Sequence, residues 1–417
     1  MPWLRTEPME ERMSFIEQAR LGLESFAELC RRYGVSRKTG YKWMERYAAE
    51  GVLGLQDRSR APLHHPHEMD ASIAASALVA RRAHPSWGPR KIRAWLAARA
   101  PEAPWPAAST LHDLFRDAGV VSPRWRRARV PPRTVPFAGC DEPNAVWTAD
   151  FKGWFRTGDG ARCEPFTLMD GWSRYLLRLQ AVKRVSTATV QPILEAAFRE
   201  YGVPLALRSD NGPPFAGRGA GGLSRLAVWL IKLDILPERI DPGAPQQNGR
   251  HERFHLTLKL DAASPPAAGL RAQARAFAAF RREYNEERPH EALGQTTPAA
   301  HYRASARLYT GRLRSPEYPT AETIRQVRSN GEIKWRGERV FLGESLGGEP
   351  VALFPLEGDQ WRVMYGPIHL GVLDASGRFR QPTRKRRQTA PCGFVDNARA
   401  LPTTPQGQQQ SQNDSLR

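Results

Sequence analysis

Between residues 11 and 50 apolar positions recur at helical spacing: Phe15, Ile16, Ala19, Leu23, Phe26, Leu29 and Tyr33, then, after a break, Val35, Tyr41, Trp43, Met44 and Tyr47. Gly34 closes the first stretch and Ser36 caps the next, whose leading turns carry Arg37, Lys38 and Lys42. This layout predicts a helix-turn-helix whose second helix offers cations to a DNA major groove, and it also describes an ordinary helical hairpin with a solvated basic face. Residues 87–120 repeat the logic. Arg90, Lys91, Ile92, Trp95 and Leu96 fall on one helix, and Ser109 is placed to cap the next. The periodicity stops in "VSPRWRRARVPPRTVP", residues 121–136, where prolines forbid a continuous helix and arginines forbid a core. A basic linker that tracks phosphates, with Arg124, Arg126 and Arg127, is expected there.

The period then changes from helical to alternating. "AVWTADFKGWFR" (145–156), "EPFTLMD" (164–170) and "RYLLRLQAV" (174–182) read as successive strands. A helix in "TATVQPILEAAFREYG", a strand "LALRS", a helix within "GGLSRLAVWLIKLD", a short strand near "LPERI" and helices at about 249–261 and 271–286 follow. That order predicts an α/β fold with a mixed sheet of ribonuclease-H-like arrangement. Residues 322–375 alternate short strands with glycine turns, which predicts a small β-barrel, and the polar end is expected to be disordered. The chain is thus expected to be multidomain. All-α helix-turn-helix modules span 1–60 and, with the basic linker, 61–136; the α/β core spans 140–305, the β-barrel 320–376 and the tail 377–417.

Charge narrows the class of partner. The 417 residues include 62 Lys+Arg against 43 Asp+Glu, a formal charge of +19. Such a balance points to a polyanion, with DNA first; a ribosomal protein or an anionic membrane surface would also suit it. No run approaches the roughly 18 apolar residues of a membrane span, and the first residues lack the apolar core of a secretion signal, so a cytoplasmic, nucleoid-associated protein is expected. Cys30, Cys140, Cys163 and Cys392 form no C-x-x-C pair, which excludes a cysteine-rich zinc finger. His64, His65 and His67 lie among prolines and read as a solvated linker.

Three carboxylates carry the candidate chemistry. Asp150 lies inside the first strand of the core, where a charge is costly unless it meets a cation. Asp210 ends the strand "LALRS", and Asn211-Gly212-Pro213 turns the chain away immediately afterwards. Glu252 falls in the first turn of the helix beginning near Gly249. Two strand-end aspartates and a helical glutamate would suit two hard divalent cations, which favour oxygen ligands and assist in-line phosphoryl transfer.

The segments "WTADFKGWF", "LRSDNGPPFA", "PGAPQQNGRHERFHLTLK" and "YNEERPHEALGQTTPAAHY" resemble the integrase core of DDE transposases from bacterial insertion sequences, relatives of retroviral integrases. The resemblance covers roughly residues 140 to 305, and the helix-turn-helix modules extend it in order. It implies that Asp150, Asp210 and Glu252 are the catalytic acids and bind Mg²⁺ or Mn²⁺, two ions per site. It also implies that Arg253 and Lys259 meet DNA beside the site, although a solvated helix face describes Lys259 equally well. The 41 residues between Asp210 and Glu252 exceed the separation in many integrases, and the glycine-rich "AGRGAGG" can hold the excess. The implied activity is binding of the element's terminal inverted repeats, then cleavage and strand transfer by a homo-oligomer that bridges two ends. A non-catalytic DNA-binding regulator and a ribonuclease-H-type nuclease are the alternatives.

Overall fold

The computed structural model describes residues 8–58, 69–121, 139–240 and 249–382. The chain divides into two compact units after Met69.

The first unit is three helices, α1 (Pro8–Leu21), α2 (Phe26–Arg32) and α3 (Arg37–Glu50). Ser25 and Ser36 cap α2 and α3 by accepting from the amides of Glu28 and Thr39, which satisfies donors that a helix start leaves open. Phe15, Ile16, Leu29, Cys30, Trp43 and Leu55 form the core. Gly40 lets α3 approach closely, because a Cβ there would lie 2.8 Å from Cys30 Sγ.

The second unit opens with α4 (Ala71–Ala83), α5 (Pro89–Arg99) and α6 (Ala108–Asp117), packed around Trp87, Ile92, Leu111 and Phe115. Ser109 lies inside α6 and does not cap it; the helix starts one residue earlier, from an Ala107 N-cap that makes no side-chain bond.

The core sheet comprises β1 (Val146–Phe151), β2 (Phe155–Arg156), β3 (Arg162–Asp170), β4 (Leu176–Val182), β5 (Ala206–Ser209) and β6 (Leu236–Arg239). The one strand expected over 145–156 is two, because Gly153 turns the chain at φ +88°. β3 pairs antiparallel with β1 and β4, whereas β1–β5 and β5–β6 are parallel, so the sheet is mixed as expected. Helices cover both faces. Trp147, Ala149, Phe166 and Leu177 pack with α7 (Thr187–Tyr201) and α8 (Arg225–Lys232) through Leu194, Phe198, Leu226 and Leu230. Met169, Leu176 and Leu179 pack with α9 (Gly249–Ala262) and α10 (Leu270–Arg282) through Phe254, Leu258, Phe277 and Phe280.

The last region contains β7 (Thr323–Gln326), β8 (Glu332–Trp335), β9 (Glu338–Phe341), β10 (Pro350–Leu356), β11 (Gln360–Tyr365), β12 (Ile368–Leu373) and β13 (Phe379–Arg380). These strands do not close into the expected barrel. The path β13-β12-β11-β10-β7 ends on two unpaired edges, and β8–β9 is a separate hairpin. The sheet covers its apolar face instead against Ala227, Val228 and Ile231 of α8, and Lys232 Nζ meets the buried Glu349 at 2.6 Å.

Candidate active site

Alternation along β1 separates structure from chemistry. Trp147 and Ala149 join the core beneath α7 and α8, so Thr148 and Asp150 face the α9 side. β1 and β5 are parallel neighbours with Ala149 opposite Ser209, which brings the next residues, Asp150 and Asp210, to the same sheet end. Asp150 Oδ1 accepts from the Phe151 amide at 2.8 Å, and Asp210 Oδ1 accepts from the Gly212 amide at 3.2 Å. Burial holds the Asp210 carboxyl above the usual carboxylate range; the Gly212 amide opposes that shift and the Asp150 charge reinforces it. The Asp150 charge that raises the proton affinity of Asp210 is one that a cation between them would offset.

The helix α9 supplies the third side. It carries Glu252 in its first turn, as expected, while the side chain of Glu252 lies outside the described residues. His251, one residue earlier, is 1% exposed. Its Nε2 is 2.7 Å from Thr148 Oγ1, and its Nδ1 is 3.7 Å from Asp150 Oδ2. His255, one turn on, lies 3.4 Å from Thr167 Oγ1. Burial, and then the His251 charge, push His255 down to about 4, so the ring is neutral at physiological pH. Asp150, His251 and His255 can each offer a ligand atom within 4.8 Å of the others. Lys152 is pushed below its ordinary range by burial and then by Lys259, so the two ammonium groups lie near each other.

Sequence reasoning missed Thr148, Lys152, His251 and His255. The i, i+4 spacing of the two histidines, which puts them on one face of α9, was the available signal.

The expected DNA contacts are distributed unevenly. Arg37, Lys38 and Lys42 are exposed along α3, and Arg253 and Lys259 are exposed on α9. Arg90 pairs with Glu291 of the core at 3.2 Å. Lys91 is pushed down to about 8, first by burial and then by Arg288, so Lys91 faces the core while Arg90 stays exposed beside it. Arg124, Arg126 and Arg127 lie outside the described residues. No helix among the described residues is long and apolar enough to cross a membrane.

Comparison with known proteins agrees with this architecture. Residues 141–245 and 233–298 match two family models, each described as an integrase core domain. Residues 11–62 match a helix-turn-helix domain, and residues 39–115 match a homeodomain-like domain. An uncharacterized 31.7 kDa protein of insertion element IS407 from Burkholderia multivorans is 29% identical over 263 residues, covering 61% of this chain and 90% of that protein. An uncharacterized 39.2 kDa protein of insertion element IS476 from Xanthomonas euvesicatoria is 29% identical over 247 residues, covering 58% and 68%. Transposase InsD of insertion element IS2 from Escherichia coli is 28% identical over 237 residues, covering 53% and 75%. The resemblance read from four spaced segments is therefore borne out in the core and in the amino-terminal modules.

Proposed function

We propose that this chain is a DDE transposase of a bacterial insertion sequence, which binds the terminal inverted repeats of its element, cuts there and joins the ends to target DNA. The convergence of Asp150 and Asp210 on one sheet end, with the first turn of α9 against it, carries this reading. The donor set fits a hard divalent cation, because Asp150 and Asp210 offer carboxylate oxygens whose mutual repulsion a cation relieves. Asp150, Asp210 and Glu252 would hold Mg²⁺ or Mn²⁺, two ions per site. Such ions, when bound, polarise the attacked phosphodiester and make water or a DNA 3′ hydroxyl a better nucleophile.

The protein's own groups then position the reactants. Lys152 and Lys259, which lie near each other, would hold backbone phosphates, and the exposed Arg253 would add to that contact. The exposed Arg37, Lys38 and Lys42 of α3 would enter the groove of the terminal repeat, and Arg124, Arg126 and Arg127 would add phosphate contacts. Arg90 would contribute by exchanging its exposed Glu291 partner for a phosphate, and Lys91 only where its face leaves the core. The working form is a homo-oligomer bridging two ends, in the cytoplasm on the nucleoid.

The test is cleavage of DNA carrying the inverted repeats that flank the coding region. Purified protein should cut and join it with Mg²⁺ or Mn²⁺, and Asp210→Asn should bind the ends without cutting. Full cleavage in excess chelator refutes the reading. End binding by the wild type with no cleavage under any divalent cation favours the regulator instead.

A further inference from the structure

We propose that His251, His255 and Asp150 form a second kind of metal site in this molecule, a two-nitrogen, one-oxygen site for a transition ion of the zinc class. Hydrogen bonding points the nitrogen lone pairs. The Thr148 hydroxyl donates to the Met169 carbonyl at 3.2 Å, so toward His251 Nε2 it can only accept. His251 therefore carries a proton on Nε2, and in its neutral form it presents a bare Nδ1 lone pair. That nitrogen is buried, has no hydrogen-bond partner, and lies 3.7 Å from Asp150 Oδ2. A lone pair facing a carboxylate oxygen repels it unless a cation lies between them. Two ligand atoms each about 2.1 Å from one ion, and 3.7 Å apart, subtend about 120° at it, within the range of zinc coordination.

The second histidine repeats the device. The Thr167 hydroxyl donates to the Asp150 carbonyl at 2.9 Å, so it too can only accept from the His255 ring. The segment His251-Glu252-Arg253-Phe254-His255 sets two imidazoles one turn apart on a helix, the spacing by which helices bind zinc, and β1 supplies the carboxylate. Two neutral nitrogens and one carboxylate favour zinc-class ions over Mg²⁺, which prefers an all-oxygen shell. Because Asp150 is shared, an ion held here withdraws it from the hard cations proposed above. Binding itself does not depend on the transposase reading.

The test is calorimetric titration of the untagged full-length chain with Zn²⁺ in a large excess of Mg²⁺, with visible absorption of Co²⁺ as the report on coordination. The wild type should bind one equivalent at this site despite the Mg²⁺. His255→Ala and Asp150→Asn should each weaken it by more than the roughly 10- to 100-fold that changes outside a ligand shell cost. Each should also abolish the Co²⁺ bands. His251→Asn, which keeps a donor to Thr148, should do the same, with folding checked by circular dichroism. Replacing His64, His65 and His67 by alanine should leave the equivalent in place. The proposal is overturned if His255→Ala binds Zn²⁺ as tightly as the wild type. It is also overturned if the Co²⁺ spectrum ignores Asp150→Asn, or if the triple alanine variant loses the equivalent.

Discussion

At the scale of single residues, Asp210 is held at a cost to stability. Its folded-state proton affinity is raised by burial and by Asp150, so the folded protein holds that proton more tightly than the unfolded chain. The sign follows: as pH rises from the ordinary carboxylate range through the raised value, this group removes stability. Asp210→Asn should therefore raise the melting temperature at neutral pH while cleavage is lost. An unchanged or lowered melting temperature would contradict the strain assigned to the pair. Cleavage should also fall on acidification while Asp210 takes up its proton. The third acid is tested by contrast. Glu238 is engaged by Arg208 at 2.7 Å across β5 and β6, and Asp234 pairs with Arg307 at 3.1 Å on the surface. Glu238→Gln should thus keep most of the activity and Glu252→Gln should lose it by orders of magnitude; a dead Glu238→Gln enzyme would reverse the assignment. Asp150 and Asp210 were legible in the sequence because a charge in an apolar strand and a carboxylate at a strand end are local signals. His251 and His255 were not, because their burial depends on Thr148 and Thr167, which lie 103 and 88 residues away.

Secondary-structure elements were legible where a period met its punctuation. Gly34 and Ser36 mark the turn before α3 by a left-handed φ of +66° and a side-chain cap, both local to the sequence. Gly40 was less legible, since a glycine in a helix interior usually costs stability. Its role is tertiary: Cys30 Sγ, Phe26 and Phe15 crowd the place where a Cβ would stand. Gly40→Ala should therefore cost about 1–3 kcal/mol despite the better helix propensity. Thermal unfolding of the purified variant should show the loss in the first unit, with weaker binding of end DNA. A gain in stability would show that the helices can move apart at little cost. The carboxy-terminal strands were also foreseen, but not their closure. Glycine turns specify hairpins one at a time, whereas a barrel needs its first and last strands to meet, and β7 and β13 do not.

Across the whole molecule, a formal charge of +19 signals a polyanionic partner without saying which cations are free to meet it. Within the second unit, α4 to α6 lie against the core along a polar seam, and some of that charge is used there. Arg288, 6% exposed, donates to Asp261 at 2.8 Å and to Ser86 at 3.3 Å, with its guanidinium over the Trp87 ring. His84 meets Glu283 at 3.1 Å and Arg99 meets Glu287 at 3.0 Å. The two exposed Arg pairs of this seam contribute little and are screened by salt, so the buried Arg288 should dominate it. Its removal leaves Asp261 and Ser86 without their shared donor, at a cost of about 3–5 kcal/mol for breaking a buried pair. Arg288→Ala should thus let α4 and α5 open from the core. Amide hydrogen exchange should rise across 71–99, stay unchanged in α1 to α3, and be accompanied by stronger, more salt-sensitive binding of DNA as Lys91 is uncovered and Arg90 is released from Glu291. Exchange in 71–99 equal to that of the wild type would mean that the apolar packing around Trp87 holds the module in place and that Arg288 contributes no net attachment.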